Sequence, residues 1–281
     1  MILKSVLAGT FKLDGGAMFG VVPKKIWSKL LPPDENNLCS WAMRCLYIEN
    51  GDRKILIDTG LGNKQSDRFF SYYEPKGDIL IQDALKTAGI DPDSITDILF
   101  THLHFDHVGG ALFKNESGDI KFAFPNARHF VHKEHWNNAI TPNAREKASF
   151  LKENLEPLAD RIIFLEDNDS SFEQLEFVKV NGHTIGMILP LIHFSAEKKI
   201  LYCADLFPAV HHIPLPYIMA YDMQPLITLK EKETILTRAI NEDIALFFEH
   251  DYLNEIAIVG KAGDDKYFVK SCTTLEDYLK N

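Results

Sequence analysis

Residues 97–110, with the sequence DILFTHLHFDHVGG, hold four side chains of the types that bind transition metals. They are three histidines and one aspartate, namely His102, His104, Asp106 and His107. Alternate residues of an extended chain project to one side, so His102 and His104 can reach the same point. Asp106 and His107 follow and can turn toward a second point. Because neutral imidazole and carboxylate suit zinc, iron, manganese or cobalt, this spacing favours a site for two metals over a solvated histidine-rich loop.

Secondary-structure signals before and after the motif indicate the elements that must position these side chains. The apolar run 98–100 (ILF) is typical of a buried strand, although so short a run also fits a buried helix segment. After the histidines, Gly109 and Gly110 are expected to let the backbone turn away. Upstream, β-rich runs flank Asn50-Gly51, a strong hairpin signal, and helical spacing follows over residues 79–88. Strand, helix and strand in succession predict an α/β architecture.

The pattern H-x-H-x-D-H resembles the signature of the metallo-β-lactamase superfamily of metal-dependent hydrolases. The resemblance implies an αβ/βα sandwich, with two mixed sheets and helices on their outer faces, formed by residues 1–281 as a single domain. It also implies a further histidine, an aspartate and a last histidine, in that order, each at a strand end. In the DTG sequence that ends the second β-rich run, Asp58 is either a turn residue or, as the resemblance favours, a support for the metal ligands.

Later in the chain, three residues match the histidine, aspartate and histidine that the resemblance implies. His183 follows the β-rich run 175–180 and the turn signal Asn181-Gly182. Asp205 ends the apolar run KKILYCAD, where a buried carboxylate needs a partner or a metal, and His250 ends the run ALFFEHD. By resemblance, each metal has three ligands of its own and one carboxylate bridges the pair. The ligand sets are His102, His104 and His183 for the first metal, Asp106, His107 and His250 for the second, and Asp205 as the bridge.

Two metals about 3.5–4 Å apart can share a water and present it as hydroxide near neutral pH. One of them also polarises a carbonyl or phosphoryl oxygen. Zinc is the expected metal, with iron, manganese and cobalt as alternatives. A proton must then reach the leaving group. Asp106 is the first candidate to carry this proton, and His212 in the Pro- and aromatic-rich segment 207–222 is the second.

Longer segments narrow the resemblance to the lactonase branch of the superfamily, which includes the quorum-quenching N-acyl homoserine lactonases and the methyl parathion hydrolases. The segments are HLHFDHVGG, DGGAMFGVVPKKIW, AYD and FEHD. The branch implies hydrolysis of lactones, best guessed as N-acyl homoserine lactones, by a metal-bridging hydroxide. By the same analogy, four residues are expected to contact the substrate: Met18, Phe19, Phe105 and Tyr221. Pro208 departs from the pattern, because related lactonases carry a substrate-polarising tyrosine there, so His212 or Tyr221 could replace it or the substrate could differ.

Several other functions remain open. An aryl ester or phosphotriester hydrolase on the same scaffold is the main alternative. Glyoxalase II is disfavoured because no basic C-terminal helical domain is evident, and a β-lactamase is disfavoured because Asp205 stands where those enzymes usually place a cysteine. A non-catalytic metal-binding module is a further alternative from a different class.

The composition of the chain argues against some classes of binding partner. The net charge of −10 disfavours nucleic acid and anionic membranes. No apolar run approaches the roughly 20 residues of a membrane span, and the N-terminus does not resemble a secretion signal. The four cysteines form no CxxC pair, so a reducing cytoplasm is the expected location. The expected partner is a small-molecule substrate, and a homodimer is left open.

Two local signals complete the predictions. Residues 127–136 contain three more histidines, His129, His132 and His135, which the superfamily pattern does not use. They are expected on the surface or on a wall of the cleft. Thr228 and Glu231 have the spacing of a capping box, which predicts a helix running to about Asn241.

Overall fold

The computed structural model describes residues 1–264 and 266–280. The chain divides into two compact units. The first comprises Met1–Phe11 and Ala42–Glu166, and the second comprises Lys12–Trp41 and Asp167–Asn281. The boundaries at residues 11 and 41 fall inside strands, so the polypeptide passes from one unit to the other along extended backbone.

The strands up to residue 166 belong wholly or mainly to the first unit. They are β1 (Ile2–Asp14), β2 (Leu38–Asn50), β3 (Arg53–Ile57), β4 (Asp97–Leu99), β5 (Leu112–Lys114), β6 (Ile120–Phe122), β7 (Arg128–His132) and β8 (Ile162–Leu165). Six of them form a sheet in the order β1-β2-β3-β4-β7-β8, and β5 pairs with β6 apart from it. The hairpin predicted at Asn50-Gly51 is confirmed, because β2 and β3 are antiparallel with Asn50 opposite Arg53 and Gly51 has a φ of 59°.

The parallel part of this sheet determines where the metal-binding motif begins. Strands β3, β4, β7 and β8 run parallel to one another, and Ile57 of β3 pairs with Leu99 of β4. The carboxyl-terminal residues of both strands, 55–57 and 98–99, are buried and apolar. Their carboxyl ends therefore meet at one edge, which brings Asp58 beside the start of the segment that carries the histidines.

The second unit contains a sheet of its own. Its strands are β9 (Leu175–Val180), β10 (Met187–His193), β11 (Lys199–Tyr202), β12 (Ile244–Phe247), β13 (Ile256–Ala262) and β14 (Lys266–Thr273). They lie in the order β14-β13-β12-β11-β10-β9. The pair β11–β12 is parallel, with Tyr202 opposite Phe247, and the other pairs are antiparallel.

The helices are mostly short. They are α1 (Gly15–Phe19), α2 (Lys24–Trp27), α3 (Asp67–Tyr73), α4 (Ile81–Thr87), α5 (Phe105–Val108), α6 (Lys133–Ile140), α7 (Lys152–Leu155), α8 (Pro225–Asn241) and α9 (Leu275–Lys280). Single 3₁₀ turns lie at Pro92–Ser94, Gly109–Ala111, Glu156–Leu158, Ala204–Leu206 and Val210–His212. Helix α8 packs on β12 and β13 of its own unit. Within the described residues, no helix combines the length and the apolarity needed to cross a bilayer.

The predicted α/β class with two mixed sheets is confirmed. The predicted end of helix α8 at Asn241 is correct, but the capping box is wrong. The helix begins one turn earlier, with Pro225 in its first turn, where the missing N–H of proline costs nothing. Thr228 lies inside the helix, and the Glu231 carboxylate accepts hydrogen bonds from the backbone N–H groups of Asn181 and Gly182 instead (2.7 and 2.9 Å).

Candidate metal centre

The first unit brings together the four predicted ligands of the H-x-H-x-D-H motif. His102 lies three residues past the end of β4, and Asp106 and His107 lie in α5. All four side chains are buried. The ring of His102 lies 4.6 Å from that of His104 and 3.8 Å from that of His107, centre to centre. These residues therefore present their ring nitrogens within one small volume.

Asp58 holds two of these histidines in place. Its Oδ1 accepts from the Thr101 N–H (2.8 Å), and its Oδ2 accepts from the Thr101 hydroxyl (2.6 Å) and from Nδ1 of His107 (3.1 Å). The Thr101 hydroxyl in turn lies 3.0 Å from Nδ1 of His102. Asp58 adopts a φ of 57°, a conformation that asparagine and aspartate tolerate better than most residues. Because Nδ1 of each ring is engaged, Nε2 is the atom that His102 and His107 would offer to a metal.

A second carboxylate orients His104. Oε1 of Glu146 accepts from Nε2 of His104 (3.1 Å), and the Asn138 and Asn143 amides donate to Oε2 of Glu146 (both 3.3 Å). Glu146 is 1% exposed. His104 would therefore bind a metal through Nδ1. Sequence reasoning missed Glu146, because an acidic residue in a polar loop has no spacing signal to set it apart.

The histidines of residues 127–136 are buried, which contradicts the expectation of a surface position. His135 Nε2 accepts from the backbone N–H of Leu103 (2.8 Å), between two of the predicted ligands. His129 and His132 are 0% and 5% exposed on strand β7. Both lie on a parallel strand beside β4, so their burial follows from their place in the sheet rather than from a metal.

Gly109 and Gly110, the two glycines after the motif, allow another backbone to pack closely against them and do not form the predicted turn. A Cβ at Gly109 would lie 2.1 Å from the Leu61 oxygen, and a Cβ at Gly110 would lie 2.0 Å from the Thr59 oxygen. Gly110 donates to the Gly60 oxygen (2.8 Å), and the Thr59 N–H and hydroxyl donate to the His107 oxygen (2.7 and 2.8 Å). The DTG loop and the motif therefore pack backbone against backbone.

Lys64 adds side-chain hydrogen bonds to this packed region. Its Nζ donates to the Gly109 oxygen and to the Leu112 oxygen (2.9 Å for the latter). Burial lowers the pKa of Lys64 to about 7, against the opposing charge of Glu153. We define the Lys64 brace as Lys64 with the two carbonyl groups that accept from it.

The second unit brings together the other three predicted ligands. His183, Asp205 and His250 each lie three residues past the end of a strand, namely β9, β11 and β12. Asp205 Oδ2 lies 3.1 Å from His183 Nε2, and Asp205 Oδ1 lies 3.0 Å from His250 Nε2. Each oxygen of this carboxylate thus faces a different histidine, an arrangement that is compatible with a carboxylate shared between two metals.

Asp222 and Glu231 support His183. Asp222 is 3% exposed, and its Oδ1 accepts from Nδ1 of His183 (2.9 Å), so Nε2 is the nitrogen that faces Asp205. Glu231 holds the N–H groups of the two residues before His183, as described above. A Cβ at Gly182 would lie 2.3 Å from the Thr228 hydroxyl oxygen, so helix α8 packs directly against this turn.

The candidate proton donor His212 lies in an aromatic stack. Its ring is parallel to that of Phe19 at 5.1 Å, and its Nε2 donates to the Met18 oxygen (2.9 Å). It is 1% exposed, and burial lowers its pKa to about 3. His212 is therefore neutral near pH 7 with its one hydrogen already donated, which fits a structural role better than proton transfer.

The predicted substrate contacts differ in accessibility. Met18 and Phe19 are 1% and 0% exposed, and Phe19 also stacks on Trp27 at 5.4 Å. Phe105 is 7% exposed and Tyr221 is 37% exposed. Tyr221 therefore has the most accessible surface of the four, whereas Met18 and Phe19 form part of a packed interior.

The donor set fits a transition metal on the chemistry of its residues. Three of the histidines have one ring nitrogen hydrogen-bonded to a buried carboxylate: Nε2 of His104, Nδ1 of His107 and Nδ1 of His183. Nδ1 of His102 lies beside the Thr101 hydroxyl. Carboxylate or hydroxyl partners of this kind fix the tautomer and the orientation of metal-binding histidines. Among the described residues, buried histidine and aspartate side chains place their ligand atoms close enough together to hold a metal ion.

Comparison with known proteins gives a consistent picture. The sequence profile of the metallo-beta-lactamase superfamily matches residues 44–248. An N-acyl homoserine lactonase from Bacillus cereus is 31% identical over 131 residues, 43% of this chain and 51% of that protein. The N-acyl homoserine lactonase AttM from Rhizobium radiobacter is 21% identical over 175 residues, 60% of this chain and 63% of that protein. The match to the Bacillus cereus protein thus spans about half of its length.

Solved structures show the same fold over nearly the whole chain. A probable metal-dependent hydrolase from Staphylococcus aureus is 28% identical and superposes with a TM-score of 0.85 over 97% of this chain and 98% of its own. AidC, a dizinc quorum-quenching lactonase in complex with the product N-hexanoyl-L-homoserine, has a TM-score of 0.80 at 20% identity, over 97% and 95% of the two chains. At that identity, the likeness to AidC concerns the fold alone.

Proposed function

Because the chain belongs to the metallo-beta-lactamase superfamily, we propose that it is a metal-dependent hydrolase that opens lactones, with N-acyl homoserine lactones as the first substrates to test. The observation that carries the proposal is the Asp205 carboxylate, which directs one oxygen to His183 and the other to His250. The curated relatives supply the substrate class, since both of those described above are N-acyl homoserine lactonases.

Two divalent metals, most simply zinc, are proposed as the cofactors. The proposed ligands are His102, His104 and His183 for one metal, Asp106, His107 and His250 for the other, and Asp205 between them. The buried acids Asp58, Glu146 and Asp222 support this assignment, because each engages the ring nitrogen that a metal would not use, directly or through Thr101. The whole chain, residues 1–281, is proposed to act as a single functional domain.

Two metals at such a site supply a water activated near neutral pH and stabilise charge on a carbonyl oxygen. Asp106 takes the proton that the attacking water loses and returns it to the leaving oxygen when the ester bond breaks. Phe105 and Tyr221 are proposed to contact the substrate. Met18 and Phe19, both buried, are proposed to support the substrate wall through their packing with His212.

An ester or phosphotriester substrate is the second candidate. One observation favours it: Pro208 has no hydroxyl at the position where related lactonases place a tyrosine, and the N–H of His212 is already donated to Met18. A site without that substrate-polarising donor suits more reactive substrates, such as esters and phosphotriesters that release a phenolate.

The test is a panel of N-acyl homoserine lactones of graded acyl length, simple γ-lactones, aryl esters and phosphotriesters. We expect the highest kcat/KM for lactones, loss of activity after exhaustive chelation, and recovery with zinc, manganese or cobalt. Higher kcat/KM for phosphotriesters than for lactones would favour the second candidate. Full activity after chelation would contradict both.

Asp205→Ala is expected to lower kcat/KM by more than about 100-fold and to reduce the metal content, because loss of a direct ligand should exceed the 10–100-fold cost of losing an outer partner. The matched control is Asp160→Ala, at an exposed position of the first unit. Metal content by mass spectrometry and turnover check the prediction. A variant with normal turnover and two bound metals would remove Asp205 from the site.

A further inference from the structure

Helix α3 packs an aromatic cluster against the residue that precedes Asp106. The ring of Tyr73 lies 4.8 Å from that of Phe105 and 4.8 Å from that of Phe69, and Phe69 meets Phe105 edge to face at 5.2 Å. Phe69 and Phe105 thus fix the position of the Tyr73 ring beside helix α5. All of them belong to the first unit.

The Tyr73 hydroxyl is not used by the fold. It makes no hydrogen bond to any of the described residues, and Tyr73 is half-buried rather than enclosed. The ordinary pKa of a tyrosine is about 10, so the hydroxyl is protonated near neutral pH and can donate a hydrogen bond. The ring contact with Phe105 places Tyr73 against the residue that precedes Asp106 in the chain.

Two positions that follow Asp205 in the chain, 208 and 212, offer no available hydrogen-bond donor. Proline has no donor at position 208, and the hydrogen of neutral His212 is directed at the Met18 oxygen. A leaving alkoxide is a strong base that gains from every hydrogen bond available as charge develops on it. The chemistry of the proposed reaction thus calls for a donor that the rim segment 207–222 does not supply through these two residues.

We propose that Tyr73 is a catalytic residue whose hydroxyl donates a hydrogen bond to the leaving oxygen of a lactone or alkyl ester. This inference rests on the proposed function. The bond between the acyl carbon and the leaving oxygen breaks, Asp106 delivers the proton to that oxygen, and Tyr73 keeps its own proton throughout. The hydroxyl stabilises the charge that develops before the proton arrives.

The test is Tyr73→Phe, which removes the hydroxyl and keeps the ring in its cluster. For lactones, with their alkoxide leaving group, kcat should fall about 10- to 100-fold while KM changes less than about twofold, because the bond strengthens only as charge develops. For p-nitrophenyl esters, whose leaving group is a weak base, kcat should fall less than about threefold. Metal content and Tm should stay unchanged.

Tyr72→Phe is the matched control, since Tyr72 is on the same helix, 56% exposed, and its hydroxyl accepts from Arg68 (3.0 Å). It should match the wild type on both substrate classes. A readout independent of turnover is calorimetric binding of the ring-opened hydroxy acid, which should weaken about fivefold in Tyr73→Phe from loss of one hydrogen bond.

Three outcomes overturn the inference. Wild-type rates in Tyr73→Phe on lactones would show that the hydroxyl is idle. An equal loss on lactones and aryl esters, with a raised KM, would show that Tyr73 only shapes the wall. A wild-type protein that hydrolyses neither class would overturn the proposed function and this inference with it, whereas an active wild type matched by Tyr73→Phe overturns the inference alone.

Discussion

At the scale of single residues, buried carboxylates determine which nitrogen each histidine presents. Asp58, Glu146 and Asp222 each accept from one ring nitrogen of a proposed ligand, and the other nitrogen is left to face a metal. The H-x-H-x-D-H spacing could be predicted because its ligands are local in sequence. Glu146 and Asp222 could not, because their contacts exist only after distant segments have packed.

Glu146→Gln tests this role. The amide keeps the size of the side chain but weakens its hold on Nε2 of His104, so affinity for the first metal should fall about 10- to 100-fold. Competition with a chromogenic chelator measures it. Glu116→Gln, at an exposed position of the same unit, is the control. Equal metal affinity in the two variants would mean that Glu146 does not position His104.

At the scale of elements, the site depends on loops that are packed without spare volume. The sequence predicted the strands of this region, but it assigned Gly109 and Gly110 to a turn. In the structure, Gly109 has an ordinary helical φ, and both glycines are required because another backbone lies where a methyl group would be. These approaches join residues 48 and 51 positions apart in the sequence (Gly109 with Leu61, and Gly110 with Thr59), so they leave no local pattern. The capping box at Thr228 was wrong because Glu231 bonds to a segment that is distant in sequence.

Lys64→Met should show what the Lys64 brace contributes. Two carbonyl oxygens lose their donor, and we expect the free energy of unfolding to fall by about 2 kcal/mol, since an unsatisfied buried acceptor costs about 1–3 kcal/mol and some of this is regained by no longer burying an ammonium group. Urea unfolding of metal-free protein measures it. Lys121→Met, at an exposed site, should change stability by less than about 0.5 kcal/mol. A Lys64 variant as stable as the control would contradict the role.

At the scale of the whole molecule, stability should depend on pH through a histidine outside the proposed site. His129 is 0% exposed, and burial, together with the positive charge of Arg161, lowers its pKa to about 4. In the unfolded chain, its pKa is the ordinary value near 6.5. Between these two values the unfolded state binds the proton more readily, so stability falls as pH drops from 6.5 to 4.

His129→Phe should remove this part of the pH dependence. The wild type should lose up to about 3 kcal/mol more than the variant between pH 6.5 and pH 4, since each unit of pKa difference corresponds to about 1.4 kcal/mol. Urea unfolding of both proteins, without metal, gives the difference directly. His193→Gln, at a half-exposed position, should keep the wild-type slope. Parallel curves for wild type and His129→Phe would contradict the prediction.

The parallel pairing of β11 with β12 has a consequence for the order of events during synthesis. The two strands are neighbours in the sheet, yet residues 203–243 separate them along the chain. On the ribosome, the segment with Asp205 therefore emerges well before its partner strand, and His250 emerges later still. A metal ion that uses both Asp205 and His250, as proposed above, can therefore bind only after residue 250 has been translated, when the first histidine cluster has long since emerged.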